Sequence, residues 1–300
     1  MSLPGRLVVV GAGLIGGSVA AGARTAGFAR HIVGVDADAA ALEEGRALGI
    51  LDAVGLPPDL GPDDLVVVAT PTLAVPAVIE DLARAPGAFA GGATVTDVAS
   101  VKASVVDAVE ALPGGAPPAF VPGHPIAGSE RSGIGAARGE LFRGRRVILT
   151  PLEATDPAAT ARVSALWEAV GADVSTMDVT DHDRVLAMTS HLPHLLAFAL
   201  VDTLGREPEH ESIFGLAAGG FRDFTRIASS DPVMWADIFT ANGPATVAIL
   251  DRLLEDLGVL RALLERGDRD ALLALLGRAK RLRDEHVLGL ASTMEEGTGD

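Results

Sequence analysis

Residues Leu7–Ser18 read LVVVGAGLIGGS. The β-branched run predicts a strand, the glycines a tight turn, and the resumed apolar spacing the start of a helix. Gly11, Gly13 and Gly16 stand in G-x-G-x-x-G spacing. Each missing side chain has its own use: the first permits the sharp turn, the second lets a pyrophosphate approach the backbone, and the third lets helix pack on strand. The helix N-terminus that follows holds the anion through its free N–H groups, which brings Leu14 and Ile15 into the candidate cofactor set. Such a turn is weak by itself, because glycine-rich turns occur wherever strands meet helices. The next strand, His31–Asp36 (HIVGVD), completes a βαβ unit and ends on a carboxylate 25 residues after Gly11. There Asp36 accepts hydrogen bonds from ribose hydroxyls and repels a 2′-phosphate, which predicts NAD rather than NADP. The alternative use of Asp36, an ordinary loop-start residue, leaves the rest of the unit unexplained.

Strand and helix patterns alternate onward from this unit. Strands are predicted at Asp64–Ala69 (DLVVVA), Ala93–Asp97 (ATVTD), Ala119–Pro122 (AFVP) and Arg146–Thr150 (RVILT), then a helix over about Pro157–Val170 and a closing strand at Asp173–Met177. Alternation of this kind implies a parallel sheet with helices on both faces, and continuous valine runs suit strands buried on both sides. Past Asp181 the spacing becomes helical, as in Leu250, Leu253, Leu254, Leu257, Leu260, Leu263 and Leu264. Asp231-Pro232 has the form of a helix start, with aspartate as N-cap and proline at the first helical position. The expected architecture is an α/β, Rossmann-like, doubly wound parallel sheet over residues 1–178 and an all-α domain over 179–300. The segment after Ala291 is expected to fray.

Composition narrows the function classes. At 300 residues with 48% hydrophobic content, the chain can bury two cores and is not a disordered tail protein. Twenty-four basic against 40 acidic residues give a net charge of −16, which repels nucleic acid and anionic membrane surfaces. A small anionic substrate must therefore meet a local basic patch. The absence of cysteine removes disulfides and thiolate chemistry together, in keeping with a reducing cytoplasm. The N-terminal apolar stretch superficially resembles a secretory signal, but the glycines of residues 11–17 spoil it as a hydrophobic region. The later apolar run Leu195–Val201 is too short to span a bilayer.

Polar residues follow the predicted strands directly: Thr70-Pro71-Thr72, then Ser100 and Lys102, then His124. In a parallel sheet all of them lie at the carboxyl edge, where open α/β sheets bind ligands. Singly, Thr70 or Ser100 could be helix caps and His124 a loop residue; together they describe one crevice. Pro122–Gly133 (PGHPIAGSERSG) offers little to a core and reads as a rigid polar loop carrying His124, Ser129, Glu130 and Arg131. Without tyrosine or cysteine, proton handling near neutral pH falls to histidine, a carboxylate or a lysine, and His124 is best placed. Asp183, Ser190 and His194, at separations of seven and eleven residues from the first, share one helical stripe at about 100° per residue. Pro193 would kink that helix, while His191 points elsewhere and suits a structural role. A solvated face is the other use of such a stripe. Arg222 and Arg226, four apart in GGFRDFTR, suit a dicarboxylate, unless they pair with Asp223. No metal-ligand motif is present in the sequence, and no metal is expected.

These pieces resemble the prephenate dehydrogenase family, arogenate dehydrogenases included. The resemblance runs through GAGLIGGS, DVASVK, GHPIAGSE, HDRVLAMTSHLPH and GGFRDFTRIASSDPVMW, in family order and over nearly the whole chain. It implies a Rossmann domain followed by a helical dimerisation domain, a homodimer, and NAD-dependent oxidative decarboxylation of prephenate to 4-hydroxyphenylpyruvate on the route to tyrosine. It puts His124 at the catalytic histidine, Ser100 at the serine that orients it, and Arg226 at the arginine that binds a substrate carboxylate. Ser129, Ser190, His194 and Arg222 fall at pocket positions, and Glu130 and Asp183 in an ionic network. Thr70 and Pro71 join Gly11, Gly13, Leu14, Ile15, Gly16 and Asp36 toward the cofactor. Feedback through the C-terminal regulatory domain of some members is not expected. Arogenate as substrate is the main alternative; a β-hydroxyacid-type dehydrogenase, whose acid/base would be Lys280, or a non-catalytic NAD-binding regulator fits less well.

Asp36 gives a direct test of the cofactor. Replacing it by serine and adding a neighbouring arginine removes the repulsion and supplies a phosphate partner, so kcat/KM with NADP should rise relative to NAD. Comparable kcat/KM for the two cofactors in the unaltered protein would refute the assignment.

Overall fold

The computed structural model describes residues 4–85, 87–89, 92–128 and 131–288; the segment after Ala291 lies outside them. The chain forms two compact units, residues 1–246 and 247–300.

In the first unit, β1 (Arg6–Val10), α1 (Leu14–Thr25), β2 (His31–Val35), α2 (Ala39–Ala47), β3 (Ala53–Val54), β4 (Leu65–Val68), α3 (Val75–Arg84), β5 (Thr94–Asp97), α4 (Ala103–Glu110) and β6 (Phe120–Val121) follow in order. The six strands form one parallel sheet in the order β3-β2-β1-β4-β5-β6. The two-residue β3 is too short to leave a periodic pattern in the sequence. Alternation along each strand divides the core: Leu7 and Val9 face one layer with Val19, Ala23, Leu166 and Trp167, while Val8 and Val10 face the other with Val75, Ile79, Val105 and Val109. All of these side chains are buried, each contributing about 1.5–3 kcal/mol for the larger apolar ones. The two-sided burial explains the unbroken valine runs.

The sequence reading carried Arg146–Thr150 and Asp173–Met177 into the parallel sheet, and here the structure differs. β7 (Gly123–Pro125), β8 (Arg146–Leu149) and β9 (Asp173–Thr176) make a separate three-stranded sheet, with β7 antiparallel to β8 and β8 parallel to β9. Pro122 has no N–H for the β6 ladder, and the chain changes sheet there; its carbonyl accepts the Thr150 N–H at 2.9 Å. Gly123 passes so close to the end of β5 that a Cβ would lie 3.1 Å from the Asp97 carbonyl oxygen. α5 (Pro157–Ala169), between β8 and β9, is capped by Asp156.

Beyond β9 the described residues are helical: α6 (Val179–Leu186), a π-helical turn (Ala187–His191), α7 (Leu192–Gly205), α8 (His210–Gly215), α9 (Gly219–Thr225), a 3₁₀ turn (Arg226–Ser229), α10 (Pro232–Ala241), α11 (Gly243–Arg266) and α12 (Arg269–Arg283). Asp231 caps α10, accepting from Val233 and Met234 N–H. Val179–Gly205 is one continuous helical stretch of 27 residues, long and apolar enough by length and composition to cross a membrane, so the run Leu195–Val201 sits in a longer segment than its own length suggested. Its buried His182, Asp183 and His191 are hydrogen-bonded within the protein, an arrangement that belongs to an interior wall.

In the second unit α11 ends in a Schellman motif, with Gly267 at φ 62° and the Asp268 N–H on the Leu263 carbonyl at 3.0 Å. Asp268 then caps α12. Leu254, Leu257, Leu264, Leu273, Leu276 and Leu282 of this unit are exposed.

Candidate active site

The glycine turn fits a dinucleotide by its steric detail. A Cβ on Gly11 (φ 106°) would fall 2.4 Å from the Ala69 carbonyl oxygen, and one on Gly16 2.0 Å from the Gly11 carbonyl oxygen, whereas one on Gly13 would meet nothing within 4 Å. Turn, open approach and close packing are therefore assigned to the three glycines as their spacing requires. No side chain caps the N-terminus of α1, so the first N–H groups of the helix, those of Leu14 and Ile15, have no side-chain acceptor and are the donors a helix start offers to an anion. Asp36 lies at the end of β2, where its Oδ2 accepts the Ala12 N–H at 2.6 Å and its Oδ1 the Asp38 N–H at 2.8 Å. Each oxygen keeps a further lone pair for a ribose hydroxyl. Pro71 caps a 3₁₀ turn over Thr72–Ala74, so Thr70 is not its cap. Instead Thr70 Oγ1 is buried with no hydrogen-bond partner among the described residues, as expected of a group meant for a ligand.

At the next strand end Asp97 and Lys102, both fully buried, form an ion pair. Lys102 Nζ also donates to the Gly123 carbonyl at 2.6 Å, Asp97 Oδ1 accepts the Gly123 N–H at 3.2 Å, and Asp97 Oδ2 accepts the Ala99 N–H at 2.9 Å. The peptide preceding His124 is thus held from both sides. Burial pulls the Lys102 pKa down, against the pull of Asp97. The sequence places Lys102 among the polar residues of the crevice; its ion pair with Asp97 and its bond to the Gly123 carbonyl hold it inside this clamp instead. Ser100 is half-buried on the loop between Asp97 and Lys102.

His124 is 8% exposed on β7. Burial holds its pKa well below the ordinary 6.5, helped by Lys102 nearby. Its Nδ1 lies 2.9 Å from His182 Nε2, and His182 Nδ1 lies 2.7 Å from Asp183 Oδ1. Asp183 also caps α4 from another part of the chain, accepting the Lys102 and Ala103 N–H groups at 2.8 Å each. Its partners are therefore a histidine and two backbone donors.

Asp183, Ser190 and His194 do not share the single stripe expected of a regular helix. The π-helical turn at Ala187–His191 lies between the first and the last and shifts the register, ending just before Pro193, which has no N–H to give the preceding turn. Asp183 faces α4, while His194 stacks on Trp235 at 3.7 Å and donates from Nδ1 to the Ser190 carbonyl at 2.8 Å. Burial lowers the His194 pKa, and Arg226 lowers it further, which puts that guanidinium within electrostatic reach. His191 is buried and contacts Asn242 Nδ2 at 3.1 Å, its pKa pushed down to about 4 chiefly by burial. Its structural role is the expected one. Trp235 and Ile238 of α10 pack on Val101, bringing this wall against the Ser100 loop.

Arg222 is exposed and makes no ion pair with Asp223 among the described residues. No described contact joins it to the histidines. Ser129 and Glu130 lie outside the described residues. The described residues contain no cluster able to hold a metal ion. Asp97, His182, Trp235 and Asn242 escaped the sequence reading, although His182 stands beside Asp183 and Asp97 closes the ATVTD strand.

Comparison with known proteins places these features in a family. The family model "Prephenate dehydrogenase, nucleotide-binding domain" matches residues 19–176, and "Prephenate dehydrogenase, dimerization domain" matches residues 178–278. A cyclohexadienyl dehydrogenase of Zymomonas mobilis is 34% identical over 282 residues, covering 92% of this chain and 94% of its own. The prephenate dehydrogenase of A. aeolicus, solved with hydroxyphenyl propionate and NAD+, superposes with a TM-score of 0.86 at 37% identity, over 95% of this chain and 99% of that one. Synechocystis arogenate dehydrogenase gives 0.78 at 30% identity, over 94% and 100%.

The clamp around Gly123 can be tested by denaturation. Lys102→Met leaves the Asp97 charge buried without compensation and should cost about 3–5 kcal/mol. The double variant Asp97→Asn with Lys102→Met, which buries no charge, should recover a large part of that loss in urea unfolding; additive losses would show that the pair does not act as a unit.

Proposed function

Because the chain belongs to the prephenate dehydrogenase family, we propose that it oxidises prephenate with NAD and releases CO2, forming 4-hydroxyphenylpyruvate in tyrosine biosynthesis. The observation that carries this reading is His124: a neutral imidazole, held so by burial, on β7 just past the end of β6 of the parallel sheet whose glycine cradle fits a dinucleotide. When bound, NAD supplies the hydride acceptor. Gly11, Gly13, Leu14, Ile15 and Gly16 would hold its pyrophosphate, Asp36 its ribose, and Thr70 and Pro71 the adjoining edge.

His124 would accept a hydrogen bond, then the proton, from the ring hydroxyl, with Ser100 orienting that pair. Loss of hydride and proton makes a dienone whose quaternary carbon sheds its carboxylate as the ring becomes aromatic, so alignment and one base suffice. Arg226, with Ser190 and His194 near it, would bind a substrate carboxylate, a local positive site in a chain of net charge −16. Arg222 and Ser129 are assigned supporting places in the same pocket, and Glu130 is assigned with Asp183 to its polar network. We also propose the division into a nucleotide-binding domain over 1–178 and a helical domain over 179–300, a homodimer using the exposed leucines of α11 and α12, and residence in the cytoplasm.

Arogenate is the second reading, favoured by the resemblance to the Synechocystis enzyme; the two substrates share the reacting ring and differ in a keto or amino group away from it. A β-hydroxyacid dehydrogenase mechanism is disfavoured, since the lysine it would use, Lys280, is exposed on α12 and paired with Asp284. Purified protein offered each substrate with NAD or NADP, followed by nicotinamide absorbance, decides among these.

His124→Asn should leave NAD binding nearly intact and lower kcat by about 10²-fold or more. Because burial opposes protonation of His124, with Lys102 adding to it, the base stays neutral as pH falls through the ordinary histidine value. The acid limb of kcat/KM should therefore lie well below pH 6.5, not within the usual histidine range; a midpoint at or above that value would reject this assignment. Arg226→Ala should raise KM more than about tenfold, for loss of a charged hydrogen bond of about 1.5–3 kcal/mol, and an unchanged KM would remove it from the pocket.

A further inference from the structure

His124 is the outer member of a buried chain of three side chains. Its Nδ1 meets His182 Nε2 at 2.9 Å, and His182 Nδ1 meets Asp183 Oδ1 at 2.7 Å. His182 is fully buried and Asp183 is 5% exposed. Burial alone would push the Asp183 carboxyl up, yet its hydrogen bonds with His182, Lys102 N–H and Ala103 N–H outweigh that and hold it below the ordinary carboxylate range. It is a carboxylate and has no proton to give.

The hydrogen positions follow in sequence. His182 Nδ1 must carry the hydrogen shared with Asp183. A neutral imidazole carries only one, so His182 Nε2 is an acceptor and His124 Nδ1 is the donor in the contact between the rings. By the same count His124 Nε2 bears a lone pair. The other arrangement, a His182 imidazolium, would add a second cation to a dry interior that already holds the Lys102 ammonium. The neutral chain satisfies every contact without that charge.

We propose that His182 is a positioning residue of the reaction: fixed by Asp183, it holds His124 in the Nδ1–H tautomer, so that Nε2 is free to accept the substrate hydroxyl. This rests on the function proposed above, and it gives Asp183 a purpose beyond capping α4. For metal-bound imidazoles an orienting hydrogen-bond partner matters by roughly 10- to 100-fold, and the same fixing of tautomer and ring angle is the effect invoked here.

Two substitutions separate the halves of the contact. His182→Asn places an amide near the Nδ1 position, keeping a donor for Asp183 but withdrawing the acceptor from His124. His182→Gln reaches the Nε2 position and returns an acceptor there. The ring nitrogens of His124 are read by two-dimensional 15N NMR of the full-length protein, beside steady-state kinetics. Wild-type His124 should show a protonated Nδ1 and a bare Nε2. His182→Asn should lose that single-tautomer pattern and about tenfold or more in kcat, with KM and NAD affinity within about threefold. His182→Gln should keep the pattern and most of kcat. A proton on Nε2 of wild-type His124, a His182→Asn enzyme with unchanged kcat, or equal losses in both variants would overturn the proposal. A wild-type protein inactive on both prephenate and arogenate would defeat the proposed function instead, while the NMR measurement still decides the tautomer.

Discussion

The buried ion pair between Asp97 and Lys102 is the interaction on which the site depends. Two charges removed from water are costly unless the remaining lone pairs and protons find partners. Here they do: Asp97 also accepts the Ala99 and Gly123 N–H groups, and Lys102 also donates to the Gly123 carbonyl. The pair ties the end of β5 to the start of β7 and so joins the parallel sheet to the small mixed one. Gly123 suits that junction because a Cβ there would crowd the Asp97 carbonyl oxygen at 3.1 Å. His124, the next residue, takes its position from this clamp, and the Ser100 loop is spanned by it.

A second carboxylate carries the next connection. Asp183 reaches from α6 to the first N–H groups of α4, an N-cap supplied from 80 residues away in sequence. Ordinary capping residues sit beside the helix they cap. Using a distant one makes the start of α4 dependent on the docking of α6, and the same carboxylate orients His182. Asn242 extends the arrangement by donating to the Asp183 carbonyl at 2.9 Å. Helix start, the His124 imidazole and the helical wall are therefore tied together by one small polar network.

His124 and His194 differ in surroundings. His124 is buried with the Lys102 side chain nearby, and both oppose its protonation. His194 stacks on Trp235 with Arg226 close by. A site beside a guanidinium and a site where burial opposes positive charge are different electrostatic environments. The fold separates them by placing one on the helical wall and the other on a strand.

Sequence alone determined the parts of this protein whose physics is local. A glycine turn flanked by a valine run and a helix has one use for each missing Cβ, and the structure assigns them accordingly. Alternating strand and helix patterns imply a parallel sheet, whose carboxyl edge carries Thr70 and Ser100; His124 follows β6 but belongs to β7 of the small mixed sheet. Tertiary structure decided what spacing could not. The small mixed sheet arises because Pro122 leaves one ladder and Gly123 can crowd another strand, and a strand pattern does not say which sheet it joins. The π-helical turn broke the assumption of about 100° per residue, so Asp183 turned to α4 while His194 went to Trp235. Lys102 reads as a polar loop residue until burial makes it half of an ion pair. His182 and Asp183 are neighbours that a regular helix points in different directions, and only the packing of α6 against α4 and β7 brings them into one hydrogen-bonded line with His124.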